Sequence, residues 1–208
     1  MVTSDANWKL PLKWNKAAGE LPSHIVKPGS VPVDYMAVPR PRVFCASLSD
    51  VFEDWDGPIT NSSGLSIGEC IACRRWQSID DQSCWKCGND CVSIFMDDVR
   101  RRLFELIDAT PNLDWLLLTK RPENIRRMWP EWAWSACATG DCPHDSKDQC
   151  ESDPFRWHRP NVWLGCSVEN QEQADKRIPE LLKCRNMSPV LFLSCEPLLG
   201  QVDLSFYL

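Results

Sequence analysis

Four short apolar runs punctuate the chain, and each stops abruptly in polar residues. The first is Val43-Phe-Cys-Ala-Ser47, followed by Leu48-Ser49-Asp50; the second is Leu113 to Leu118, followed by Thr119-Lys120-Arg121. The third, Asn161-Val-Trp-Leu-Gly-Cys166, runs into Ser167-Val168-Glu169-Asn170, and the fourth, Val190-Leu-Phe-Leu193, into Ser194-Cys195-Glu196-Pro197. Such continuous apolarity predicts strands covered on both faces. Helical periodicity lies between them. Asp98 to Asp108 carries Val99, Leu103, Leu106 and Ile107 on one face, opens with acidic residues and has Pro111 beyond its end. A short helix from Pro122 to Trp129 begins with proline at its first position, and Gln171 to Lys183 groups Ala174, Ile178, Leu181 and Leu182. Strands alternating with helices imply a parallel sheet, because parallel neighbours need crossover connections.

The polar residues fall where such a sheet builds its ligand site, at the carboxyl ends of the strands. Solvation of loops explains one or two polar strand ends. It explains less well a Lys-Arg pair and acids set directly at the ends of apolar runs. The expected pocket therefore comprises Ser49, Asp50, Lys120, Arg121, Glu169, Asn170 and Glu196. Lys120 and Arg121 suit a carboxylate or phosphate, with arginine the better bidentate donor. Glu169, Asn170 and Glu196 suit hydroxyls, an amine or a cation.

Cysteine usage adds a second chemistry. Of twelve cysteines, five fall between Cys70 and Cys91, in CIACRRWQSIDDQSCWKCGNDC. Cys70-x2-Cys73 and Cys84-x2-Cys87 come close to the paired-knuckle arrangement of zinc ribbons, with a shorter link than the commonest ones; each turn grips one side of a tetrahedral ion. Gly88 suits the positive-φ turn that follows such a pair. Cys91 is surplus, and the spacing leaves open which four of the five bind. All-thiolate zinc has no open position for water, so this site, in an insertion spanning 60–95, is expected to be structural. A weaker set, Cys137, Cys142, His144 and Cys150, sits in a second insertion at 130–159 and matches no strong template; metal-free loop residues fit equally well. His24 and His158 have no thiols nearby and read as surface or packing residues.

Composition restricts the setting. A chain of 208 residues, 43% hydrophobic, can bury a core as one domain with excursions. Its start lacks a continuous apolar region behind a basic end, and the longest apolar run, around Trp115 to Leu118, is strand-sized. The expectation is a cytoplasmic protein whose thiols stay reduced and ligate metal. A net charge of −6 argues against nonspecific nucleic-acid binding, which needs clustered Lys and Arg, and no membrane association is expected.

Four segments, taken together, resemble a known family: Pro41-Arg-Val-Phe-Cys-Ala-Ser-Leu-Ser-Asp-Val-Phe52, Trp115-Leu-Leu-Leu-Thr-Lys-Arg-Pro-Glu-Asn124, Asn161-Val-Trp-Leu-Gly-Cys-Ser-Val-Glu-Asn170 and Phe192-Leu-Ser-Cys-Glu-Pro-Leu-Leu-Gly200. In that order they look like a phage-associated, radical-SAM-like family of uncharacterised function, and Asn7 to Asn15 resembles the segment just ahead of its first strand here. The resemblance implies a (β/α) barrel, bacterial-host cytoplasm and S-adenosylmethionine as a candidate ligand. Only four βα units are visible, whereas a closed barrel usually takes roughly 250 residues, so a single partial-barrel domain over 1–208 is expected.

One departure separates the chain from the family pattern. Radical chemistry of that kind needs Cys-x3-Cys-x2-Cys to hold a [4Fe–4S] cluster, and here no cysteine precedes Cys45. Cys84-x2-Cys87-x3-Cys91 has the spacings reversed. No iron–sulfur cluster is expected in this chain, which therefore would not be catalytic alone. The alternative is a non-catalytic phage accessory protein that keeps the fold and the zinc module to bind a macromolecule such as a host defence component. A hydrolase fits poorly, since three histidines offer no convincing Ser/His/Asp set.

Overall fold

The computed structural model describes residues 5–19, 40–45, 50–79, 83–130 and 159–207. Within these, the chain is mixed α/β and divides into two compact units, one drawn from 1–43 with 54–114 and one from 44–53 with 115–208. In chain order the elements are α1 (Asp5–Gly19), β1 (Arg42–Cys45), β2 (Ile67–Cys70), β3 (Trp76–Ser78), β4 (Cys91–Ser93), α2 (Met96–Asp108), β5 (Asp114–Thr119), a 3-10 turn (Pro122–Asn124), α3 (Ile125–Met128), β6 (Val162–Ser167), α4 (Gln171–Leu182) and β7 (Val190–Ser194).

The first unit contains a three-stranded antiparallel sheet in the order β3-β2-β4. α1 is an element that the apolar pattern does not announce, and it carries Pro11 inside it. Asn15 Oδ1 accepts from the Asn112 amide at 2.8 Å. The Arg102 guanidinium lies 4.8 Å from the Trp8 ring centroid and 4.3 Å from that of Trp76, tying α1, α2 and β3 together through cation–π contacts. α2 begins two residues before the expected Asp98. The Asp98 carboxylate accepts the Phe95 amide at 3.0 Å, half of a capping box. Its buried face is Arg100, Leu103, Phe104 and Ile107, an i, i+3, i+4, i+7 set. Val99 and Leu106, expected on the core face, are only half-buried. The helix is rotated so that the larger Phe104 goes inside, and Arg100 enters with it, paired to Asp97.

The second sheet has the order β1-β5-β6-β7, with β5/β6 and β6/β7 parallel. The pattern of the apolar runs reads through to these strands within one or two residues. Only β6 is covered on both faces for nearly its whole length; β5 alternates buried and half-buried positions, and β7 is half-buried throughout. The sheet is not closed among the described residues. α4 packs on β6 and on the 3-10 turn, burying Ala174, Ile178 and Leu181. Gly165 of β6 faces Phe192 of β7 in register, and a Cβ there would come within 2.4 Å of the aromatic ring. The parallel pairing sets Thr119 against Cys166 and Ser167 against Ser194, so β5, β6 and β7 end on one edge. No helix of the described residues is long and apolar enough to cross a membrane.

Candidate metal centre and polar strand edge

The thiol cluster is built by two turns of the same design. In the first, the Arg74 amide donates to the Cys70 carbonyl at 3.0 Å and the Cys70 amide donates to the Arg75 carbonyl at 3.0 Å. In the second, the Gly88 amide donates to the Cys84 carbonyl at 2.8 Å and the Cys84 amide to the Asn89 carbonyl at 2.7 Å. The residue after each second cysteine is left-handed, Arg74 at φ 56° and Gly88 at φ 72°. Each turn thus folds its two thiols to the same side.

The sulfurs of Cys70, Cys73, Cys84 and Cys87 all lie within 4.8 Å of one another, with Cys70 Sγ 3.5 Å from Cys87 Sγ and Cys73 Sγ 3.6 Å from Cys84 Sγ. A tetrahedral ion with sulfur ligands at about 2.3 Å needs sulfur–sulfur edges of about 3.8 Å. The four cysteines can therefore hold a metal ion. Their electrostatics point the same way. The Asn89 side chain and amide, then Cys70, lower the Cys87 thiol to about 6. At Cys73 the Arg75 amide pulls downward, yet burial and the three neighbouring thiols push the group up to about 11. A cation among them would favour the ionised form of the thiols together.

Cys91 lies outside the quartet but beside it. It is buried on β4, directly opposite Cys70 of β2, and belongs to one core cluster with Cys70 and Cys84. Burial, followed by the charges of Cys70 and Cys84, raises its thiol. The weaker set Cys137, Cys142, His144 and Cys150 lies outside the described residues, as does Ser49.

The remaining pocket residues are all in the second unit. Asp50 Oδ1 accepts from the Thr119 hydroxyl at 2.7 Å and the Phe52 amide at 3.0 Å, while Oδ2 accepts from the Lys120 amide at 2.8 Å. Arg121 Nη1 reaches Glu53 at 2.7 Å and Asp50 at 3.7 Å. Lys120 then links this group to a second one. Its ammonium is 3.3 Å from Glu169 Oε1, and Arg177 Nη1 donates to Glu169 Oε2 at 2.7 Å and to the Ser167 carbonyl at 2.7 Å. Burial works against ionisation of Glu169, but its own amide, Arg177 and Lys120 outweigh it and hold the carboxyl below its ordinary value. Asn170 is the N-cap of α4, its side chain accepting the Gln173 amide at 3.0 Å. Glu196 is exposed and makes no hydrogen bond or ion pair among the described residues.

Sequence reasoning passes over Thr119, Glu53 and Arg177. For Arg177 a signal exists: it occupies the i+3 position in the set Ala174, Arg177, Ile178, Leu181, so a charge stands on the apolar face of α4.

A family model described as a protein of unknown function, DUF5131, matches residues 89–207, more than half of the chain. The chain belongs to the DUF5131 family. The matched segment contains Lys120, Arg121, Glu169, Arg177 and Glu196 and begins beyond Cys87, so the four-thiol cluster and Asp50 stand outside it. No curated protein and no solved structure matches the chain.

Proposed function

We infer that this DUF5131 chain is a phage-type, radical-SAM-like protein that binds a small zwitterionic ligand at the carboxyl edge of a partial barrel and is not catalytic alone. The carrying observation is the linked set Lys120, Glu169 and Arg177. Glu169 is held ionised by the deeper Arg177, while the Lys120 side chain is 62% exposed and able to exchange its partner. A ligand bearing a carboxylate and an amine fits this arrangement: Lys120 would take the carboxylate and Glu169 the amine. S-adenosylmethionine has both groups and is the first candidate, on the resemblance of the four motifs. When bound to a cluster it supplies a radical; none of the twelve cysteines here forms Cys-x3-Cys-x2-Cys, so this chain's residues bind and orient it. Zinc in the Cys70, Cys73, Cys84 and Cys87 site would order the antiparallel module and leave no coordination position for substrate.

Titration of the zinc-loaded full chain with S-adenosylmethionine by calorimetry tests the pocket. The expected result is saturable binding that weakens by about tenfold or more, roughly 1.4 kcal/mol, in Glu169→Ala and Lys120→Ala proteins. Absence of binding to the wild-type chain would sink the ligand assignment, leaving a rim whose charges pair only with one another.

A further inference from the structure

We propose that Cys91 is the resolving thiol of an oxidation site, through which a small hydroperoxide converts Cys70 and Cys91 to a cross-strand disulfide and discharges the metal. The inference rests on the reading of the quartet as a metal centre.

The backbone geometry is already that of a bridge. Cys70 and Cys91 are register partners on antiparallel strands. The Ile71 amide donates to the Asp90 carbonyl and the Ile94 amide to the Ile67 carbonyl, so hydrogen-bonded pairs fall at 71/90 and 67/94. Alternation along the ladder makes 70/91 a non-hydrogen-bonded pair, where opposed Cα atoms stand about 4.5 Å apart and side chains are closest. That separation lies within the range a disulfide spans. Both side chains are buried in one cluster, so the bridge can close without unfolding the strands.

Entry is through Cys87, the exposed member of the quartet. Attack of its thiolate on a peroxide O–O bond gives a sulfenic acid and releases hydroxide. Cys70 Sγ, 3.5 Å from Cys87 Sγ, then displaces the sulfenic oxygen as hydroxide, forming a Cys70–Cys87 bond. The Cys91 sulfur attacks the Cys70 sulfur, and Cys87 leaves as a thiolate. Overall hydrogen peroxide is reduced to two waters, or an organic hydroperoxide to an alcohol and one water, and two thiols are oxidised to one disulfide. With Cys70 withdrawn from the ligand set, three thiolates remain and the ion is lost. A dithiol reductant reverses the bond, and without Cys91 the sequence would stop at the Cys70–Cys87 disulfide.

The test uses the zinc-loaded full chain, one equivalent of hydrogen peroxide and a chromophoric zinc chelator. Fragmentation mass spectrometry must separate Cys70 from Cys73 and Cys87 from Cys91. We expect a Cys70–Cys91 bridge, release of zinc, and reloading after dithiothreitol. Cys91→Ser protein should still load zinc and release it on oxidation, with the bridge mapped between Cys70 and Cys87 instead and zinc reloading after dithiothreitol. A wild-type chain that takes up no zinc overturns the metal reading itself. A chain that loads normally but forms no Cys70–Cys91 bridge, or a Cys91→Ser chain that accumulates no Cys70–Cys87 bridge, overturns the resolving role alone. So does a Cys91→Ser chain that no longer binds zinc, since Cys91 would then be a ligand. The bridge is mapped on the wild-type chain, so the result does not depend on how the variant folds.

Discussion

Arg74 and Gly88 occupy equivalent positions in the two cysteine turns, each left-handed and each donating its amide to the carbonyl of the first cysteine in its turn. Only one of them is a glycine. The left-handed conformation costs a residue with a Cβ roughly 1–2 kcal/mol, so Arg74 carries a strain that Gly88 avoids. Arg74 recovers part of it through a 2.9 Å ion pair between its Nε and Glu69, an exposed guanidinium on a mostly buried carboxylate. Gly88→Ala should therefore destabilise the metal module by about 1 kcal/mol, although its Cβ would enter open space. Arg74→Gly should be close to neutral, strain relief offsetting the lost pair. Chelator competition against each variant measures both; a Gly88→Ala protein that holds zinc as tightly as wild type would contradict the account.

Removing one ligand should empty the metal site. Cys73→Ser is expected to release about one zinc per chain, because the tetrahedral site loses one of its four thiolates. Loss should be read first in the protection of β2, β3 and β4 amides, with those of β5, β6 and β7 little affected. Metal content unchanged in both Cys73→Ser and Cys84→Ser proteins refutes the site.

The parallel sheet is legible in the sequence because its strands are short continuous apolar runs separated by helical periods, a signal that depends only on neighbouring residues. The thiol cluster is legible for the same reason, two CxxC pairs within one short segment. What stays hidden is what depends on orientation. α1, with Pro11 inside and no sustained apolar stripe, gives no helical signature of its own, and its Trp8 is held by Arg102 far along the chain. The rotation of α2 toward Phe104 is a packing outcome. Asp50 and Glu169 stand out as polar residues that follow apolar runs. Their pairing with Thr119 and Arg177 has no spacing in sequence, although a charge on the apolar face of α4 marks Arg177 as unusual. DUF5131 membership adds a family and leaves the chemistry to the residues.

Glu169 and Arg177 make a pH-dependent contribution. Holding Glu169 below its ordinary value of 4.5 means that the folded state binds its proton less readily than the unfolded one. The stabilisation is therefore fully present above that value and drains away as pH falls through the lower folded value. Arg177→Gln should cost about 2 kcal/mol near pH 7, since it strips a half-buried carboxylate of its strongest donor. The gap between wild type and variant should narrow as the pH is lowered below 4.5 and Glu169 takes up its proton in both. Urea unfolding across that range reads it, and a gap that does not change with pH would show that Arg177 acts through packing or the Ser167 carbonyl instead.

Asp50 is expected to act on the ligand edge without touching the ligand. Its carboxylate accepts from the Thr119 hydroxyl and from the amides of Phe52 and Lys120, so it fixes the backbone from which the Lys120 ammonium extends toward Glu169. Asp50→Ala leaves three donors without their acceptor and should cost about 3 kcal/mol. Asp50→Asn should cost less, about 1–2 kcal/mol, because one oxygen still serves Thr119 and Phe52 while the new amide group opposes the Lys120 N–H. The local signature is hydrogen exchange: the Phe52 amide should stay protected in Asp50→Asn and the Lys120 amide should not. Thr119→Val combined with Asp50→Ala should cost less than the sum of the two, since both remove the Thr119–Asp50 bond. Independent costs, or a Lys120 amide as protected in Asp50→Asn as in wild type, would mean that the carboxylate does not anchor this strand end.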